Sequence, residues 1–369
     1  MPTFGVARAV RGMEPLVATE IRRSRIGVVR AMRHREVWFE ASPEADPLRL
    51  RTADDVLLAA AVVDGIGHGR SALRRLAAAA RKVDAGRLAR PGNGLEVSAS
   101  FVGRRNYTRF EIEDAVGAEL ARPLRVAYHS RRDGRRPPPD ATAWRVTIEG
   151  DQAVIAVRVA DRPLHRRAYK TASIRGTLHP PVAAAMAELA RLGGAGTVLD
   201  PCCGAGTTLI EAAAACGPGT RLLGFDHDPS AVAAATANAR GTTHSAGVTG
   251  TALRADASVM ALPVGVAGTA CPVFAVADAG RVPVASGGVD RVLVNPPWGR
   301  QVPPRGLLAR GLGPLWREVR RVLAPGGLAV ALVHDGVPPG FVVEEVVQVS
   351  LSGQHPLIAV LRRGRASPG

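Results

Sequence analysis

Two rhythms of apolar and polar residues divide the chain near residue 176. Downstream, short unbroken apolar runs alternate with Ala-rich segments of helical length. Strands are expected over 197–200, 221–226, 291–294 and 328–333, and helices over 181–192, 207–215, 230–240 and 307–323, the last closed by Pro325-Gly326-Gly327. Strands that are apolar throughout and separated by helices specify a parallel sheet covered on both faces. Two further apolar runs, 341–349 and 356–361, are joined by a turn around Ser352-Gly353-Gln354 too short for a crossover helix, so they should pair antiparallel. The Gly-, Ala- and Val-rich stretch 241–288 has no usable period and predicts no element.

Upstream the alternation is lost. Segments 56–63 and 71–83 read as helical, the second with Ser71 as N-cap; 95–102 reads as a strand and 109–120 as a helix. Strand-like runs over 143–148 and 153–159 flank the turn Glu149-Gly150-Asp151-Gln152, which makes the preceding Arg135-Arg136-Pro137-Pro138-Pro139 a loop inside a domain. The expected fold is an α/β, Rossmann-like C-terminal part preceded by an α+β region.

A chain of 369 residues, 46% of them hydrophobic, is long enough for two or three domains. No run of about 18 apolar residues occurs, and Met1-Pro2-Thr3-Phe4 lacks the plan of a signal peptide, so a soluble cytoplasmic protein with no membrane association is expected. The four cysteines, Cys202, Cys203, Cys216 and Cys271, form no paired C-x-x-C pattern, which argues against disulfides and a structural metal. The formal charge is +16, carried almost wholly by arginine, and its placement is uneven. Residues 1–176 hold 33 Arg and Lys against 20 Asp and Glu, a net of +13, while the remainder holds 15 against 12, a net of +3. A polyanion gripped by the first half is the expected partner.

The first parallel strand runs into Asp200-Pro201-Cys202-Cys203-Gly204-Ala205-Gly206-Thr207-Thr208-Leu209 and then a helix, placing a glycine turn where doubly wound folds bind ligands. A dinucleotide site wants a third glycine where Leu209 stands, and an acid at Asp200 sits badly beside a pyrophosphate. A phosphate-free ligand bearing positive charge suits the turn, which describes S-adenosylmethionine. Asp226, about 26 residues further on at the end of the second strand, is placed to accept hydrogen bonds from ribose hydroxyls. Asp228 reads as a turn or cap residue before the helix that Pro229 opens. A third acid, facing the adenine amine, is Asp278 or Asp256, with the spacing to the next motif favouring Asp278.

That motif is Asn295-Pro296-Pro297-Trp298, at the end of the strand Val292-Leu293-Val294. Its prolines fix φ and stiffen the direction of the Pro296 carbonyl. If the Asn295 amide oxygen and that carbonyl accept the two hydrogens of an amine, the nitrogen is drawn toward tetrahedral geometry with its lone pair aimed at a methyl donor. Trp298 is suited to stack on a flipped base.

The segments 200–207 and 295–298 together resemble the class I amino-methyltransferases, whose sheet ends in an antiparallel hairpin. Gly12-Met13-Glu14-Pro15-Leu16-Val17 with Glu20-Ile21, then Leu50-Arg51-Thr52-Ala53-Asp54-Asp55-Val56-Leu57-Leu58, and Pro163-Leu164-His165-Arg166-Arg167-Ala168-Tyr169-Lys170 resemble the ferredoxin-like and THUMP modules of RNA guanine-N2 methyltransferases. Trp298 stands where Tyr or Phe is commoner in that family. The resemblance implies a ferredoxin-like domain over 1–60, a THUMP-like RNA-binding domain over 61–165, a linker over 166–180 and a methyltransferase domain over 181–369. It implies S-adenosylmethionine as cofactor, bound by Asp200, Cys202, Gly204, Gly206, Thr207, Asp226, Asn295 and one of Asp278 and Asp256, with tRNA as partner and guanine N2 as target. Arg104, Arg105, Arg109, His165, Arg166 and Arg167 are the candidate RNA contacts. An rRNA guanine-N2 or adenine-N6 methyltransferase would use the same catalytic turn. A protein-glutamine methyltransferase would not need the basic first half, and an RNA-binding protein with a relic cofactor fold would not need the intact motif.

Overall fold

The computed structural model describes residues 4–88, 94–243, 270–299, 302–334, 336–351 and 353–364. The chain forms two compact units, one of Met1–Ala9 with Glu14–Leu164 and the other of Val10–Met13 with His165–Gly369.

In the first unit, β1 (Phe4–Arg8), α1 (Glu14–Arg23), β2 (Gly27–Arg33), β3 (Glu36–Ala41) and β4 (Asp55–Val63) are followed by α2 (Ser71–Arg81), α3 (Ala85–Leu88), β5 (Leu95–Phe101), α4 (Arg109–Leu124), β6 (Thr142–Glu149) and β7 (Gln152–Arg158). The seven strands make one sheet in the order β2-β3-β1-β4-β7-β6-β5, parallel only between β5 and β6. Alternation along the strands sorts side chains to two faces. Val37, Phe39 and Val56 pack with Val17 and Ile21 of α1, and Ile155, Val157 and Trp144 pack with Leu76 of α2 and Ile112 and Leu120 of α4. The other face carries Val6, Trp38, Leu57 and Val154, beside the ion pairs Arg8–Glu36 and Arg158–Asp55.

The helix expected over 56–63 is a strand, β4, hydrogen-bonded to β1 on one side and β7 on the other. An unbroken run of eight apolar residues carries no period, and burial in the middle of the sheet overrides the helical preference of its alanines. The boundary expected at residue 60 falls inside this strand. Ser71 is the first residue of α2 rather than its cap, since Arg70 occupies the N-cap and makes no side-chain capping bond. The signal that reasoning passed over is Thr108, whose hydroxyl accepts from the Glu111 N–H while the Glu111 carboxylate accepts from the Thr108 N–H, a capping box that opens α4.

The second unit contains α5 (Pro180–Leu189), β8 (Thr197–Asp200), α6 (Thr207–Ala213), β9 (Arg221–Asp226), α7 (Pro229–Thr243), β10 (Pro272–Val276), β11 (Val289–Val294), α8 (Gly313–Val322), β12 (Leu323–Val333), β13 (Phe341–Gln348) and β14 (Leu357–Arg363). Its strand order is β10-β9-β8-β11-β12-β14-β13, with β14 antiparallel to both of its neighbours and the other pairs parallel. The expected final hairpin is present. The helix expected over 307–323 is interrupted: a 3-10 turn, Gly306–Leu308, precedes α8, because Gly311 adopts φ +127°. Pro325-Gly326-Gly327 lies within β12. Strand order reverses between β8 and β11, so the carboxyl ends of β8, β9, β11 and β12 border the crevice where such sheets bind ligands. Among the described residues no helix is long and apolar enough to cross a membrane.

Candidate active site

A cavity of about 900 Å³ opens at that edge of the second unit, lined by Asp200 after β8, Asp226 after β9, Asn295 to Trp298 after β11 and His334 after β12. Asp200 is 1% exposed. One of its oxygens accepts the Cys202 N–H at 3.0 Å and the other accepts the Thr208 hydroxyl, so the carboxylate pins the glycine turn. Burial lifts this carboxyl to about 7, and the nearby Asp226 adds to the shift. Asp226 accepts the Gly204 N–H at 2.8 Å and the Asp228 N–H at 3.0 Å, and partial burial raises its carboxyl above the ordinary range. Asp228 accepts the Ser230 N–H at 2.8 Å at the start of α7.

Gly206 sits at φ +79°, and a Cβ there would lie 2.8 Å from the Phe274 ring, so this turn position requires glycine twice over. The Thr207 hydroxyl oxygen is buried and unpartnered among the described residues, on a residue that lines the cavity. Two carboxyls lifted by burial together with an orphaned hydroxyl make a donor set suited to a ligand that brings positive charge and hydroxyl groups.

The third acid divides as follows. Asp278 lines the cavity, and its two oxygens accept the Gly280 N–H and the Leu307 N–H, each at 2.8 Å, which ties the 306–308 turn to the end of β10. Asp256 lies outside the described residues.

At the Asn295-Pro296-Pro297-Trp298 turn, the Cys202 thiol donates to the Asn295 carbonyl at 3.6 Å, joining the glycine turn to the end of β11. Desolvation, reinforced by Asp200 and Asp226, holds the thiols of Cys202 and Cys203 well above their ordinary range. The Trp298 indole N–H donates to Asn295 Oδ1 at 3.2 Å, and the ring meets His334 edge to face at 4.5 Å. Neither contact was anticipated by treating Trp298 as a stacking plate.

Of the six candidate RNA contacts, two have their guanidinium groups engaged within their own unit. Arg105 donates to the carbonyls of Ile66, Gly67 and Gly150, and Arg167 pairs with the fully buried Glu211 at 2.9 Å. Arg104, Arg109 and Arg166 are exposed, with Arg109 over the Phe110 ring. His165 lies 5.2 Å from the His179 ring.

Sequence reasoning missed the groups that hold the segment before α5 against the site. Glu211 also accepts the Tyr169 hydroxyl at 2.8 Å. Asn238, wholly buried, donates to the carbonyls of Ala172 and Ala205, both at 3.0 Å, and accepts the Ala172 N–H at 2.8 Å. A lone asparagine on a helix carries no sequence signal for such a role. Asn238→Ala strands three backbone groups, and is expected to lower stability by about 3 kcal/mol in urea denaturation while weakening cofactor binding.

Residues 167–339 match the family model described as RMKL-like, methyltransferase domain. The chain is 31% identical over 288 residues to the tRNA (guanine(6)-N2)-methyltransferase of Thermus thermophilus, covering 75% of this chain and 76% of that one. It is 31% identical over 184 residues to the U6 snRNA (guanine-N(2))-methyltransferase THUMPD2 of Bos taurus, covering 50% of this chain and 30% of that one. Its fold matches the crystal structure of TrmN from Thermus thermophilus with a TM-score of 0.74 at 27% identity, over 98% of this chain and 99% of that one. With its glycine turn, its Asn-Pro-Pro-Trp turn and its strand order, the chain belongs to the THUMP-containing, S-adenosylmethionine-dependent class I RNA guanine-N2 methyltransferases.

Proposed function

We propose that this protein methylates the N2 amine of a guanine in tRNA, in the cytoplasm. The observation that carries the reading is the meeting, in one cavity, of the Asn295 turn with the carboxylates after β8 and β9. Bound S-adenosylmethionine supplies a methyl group made electrophilic by its sulfonium. Asp226 would accept hydrogen bonds from its ribose, the Asp200 turn would set the backbone that the ligand lies against, and the Thr207 hydroxyl would gain a partner. Asp278 shapes the adenine side of the site through the 306–308 turn it holds.

The guanine amine is a weak nucleophile because its lone pair is delocalised into the ring. Asn295 Oδ1 and the Pro296 carbonyl accept its two hydrogens, which localises that lone pair and directs it at the methyl group. The proton on the product amine is lost afterwards, so a dedicated base is not required. The basic first unit, with Arg104 and Arg109 exposed and Arg166 on the catalytic unit, holds the phosphate backbone while one nucleotide is delivered to the cavity.

The test is mass spectrometry of tRNA nucleosides from a strain lacking the protein, complemented with wild type or with Asn295→Ala. Loss of N2-methylguanosine, restored by wild type alone, is the expected result. Unchanged N2-methylguanosine in the deletion strain rejects the assignment to tRNA guanine.

A further inference from the structure

Asparagine is an ambiguous acceptor. The torsion that turns its amide is broad and roughly two-fold, so the oxygen and the NH2 group exchange places at little cost unless something tells them apart. Turned one way, Asn295 presents an acceptor to the substrate amine; turned the other, it presents a donor to a donor. The sequence motif does not distinguish these states.

The structure contains a group that does. The indole N–H of Trp298 lies 3.2 Å from Asn295 Oδ1. Indole nitrogen is a donor only, so it tolerates the oxygen at that position and opposes the NH2 group. The Trp298 ring is itself held, meeting the His334 ring in an edge-to-face contact at 4.5 Å and 66°. His334 is the first residue beyond β12, the strand paired with β11, which ends one residue before Asn295. Two adjacent strands thus fix both ends of the arrangement. Oδ1 carries two lone pairs, and with one taken by the indole the second remains for the amine.

We propose that Trp298 is a positioning residue whose indole N–H locks the Asn295 amide in the orientation that offers oxygen to the substrate amine. The proposal rests on the guanine-N2 reading above. It gives the tryptophan a task that a phenylalanine ring at this position cannot perform, and that a tyrosine, with its hydroxyl at the far end of the ring, performs only with different geometry.

The test compares Trp298→Phe, and replacement of Trp298 by 3-benzothienylalanine, which keeps the bicyclic shape without the N–H, in wild-type and Asn295→Ala backgrounds. Both replacements are expected to lower kcat about 10- to 100-fold, with KM for tRNA and for S-adenosylmethionine within about twofold. Neither should slow the Asn295→Ala protein by more than about twofold, because a group that acts through Asn295 has nothing left to position. Loss of base stacking would instead slow both backgrounds alike and raise KM. In the substrate-free protein, the NMR resonance of the Trp298 indole N–H, identified by its disappearance in Trp298→Phe, should shift and exchange faster with solvent in Asn295→Ala. Full activity of the benzothienylalanine protein, equal slowing in both backgrounds, or an indole resonance indifferent to Asn295→Ala would overturn the proposal. A wild-type protein inactive on tRNA guanine would count against the functional reading alone, since the resonance is read without substrate.

Discussion

Asn295→Ala is expected to slow single-turnover methyl transfer roughly 10²- to 10³-fold, the loss typical when one preorganised polar group is removed from a reacting centre. The interaction it deletes tightens as the amine becomes tetrahedral and is weak for the planar amine of the bound ground state. The deficit therefore falls on kcat, and tRNA affinity stays within about twofold. The Cys202 thiol still donates to the backbone carbonyl of residue 295, and the Pro296 carbonyl survives the substitution, so activity should be measurable rather than abolished. Single-turnover rates at saturating tRNA decide the matter. A rate within about threefold of wild type would remove Asn295 from the chemistry.

The second large effect is on cofactor affinity. Asp226→Ala is expected to raise the Kd for S-adenosylmethionine about 100-fold, since hydrogen bonds to a charged acceptor contribute about 1.5 to 3 kcal/mol and about 1.4 kcal/mol is a tenfold change. Because the same carboxylate accepts the N–H groups of Gly204 and Asp228, part of the loss comes from a slackened glycine turn. Asp226→Asn keeps one acceptor oxygen and should fall between, when both variants are compared by calorimetric titration. Acidity enters with a definite sign. Burial raises the carboxyls of both Asp226 and Asp200, the latter to about 7. A protonated carboxyl must release its proton to face a cationic ligand, so wild-type affinity should climb as pH rises toward 7 and flatten above it. Affinity that stays flat from about pH 5 to about 8 would contradict this electrostatic account.

Much of the catalytic unit was legible in the sequence because its parallel strands are buried on both faces and read as plain apolar blocks. The runs 197–200 and 221–226 match β8 and β9 to the residue. Legibility failed where one pattern serves two structures. The eight apolar residues of β4 satisfy a helix or a central strand equally, and the partners that decide between them, β1 and β7, are far away in sequence. β10 emerged from a stretch without period, its position set by pairing with β9 rather than by its own alternation. The site was legible as far as residue types go. The Asn295 turn and the acids after β8 and β9 line one cavity, while the charge pattern did not reveal that Arg105 and Arg167 are engaged by neighbours within their own units. Those partners, backbone carbonyls and the buried Glu211, are products of folding and leave no mark on composition.

The cysteine pair in the glycine turn has a chemical corollary. A pocket that receives an activated alkyl group is dangerous to any sulfur within it, since a thiolate would outcompete an aromatic amine for the same carbon. Cys202 and Cys203 lie in that position, yet their dry surroundings and the two negative neighbours keep them protonated, and the proton of Cys202 is directed at a carbonyl. A thiol held protonated is a poor nucleophile, so selectivity for nitrogen becomes a matter of what is suppressed as well as what is activated.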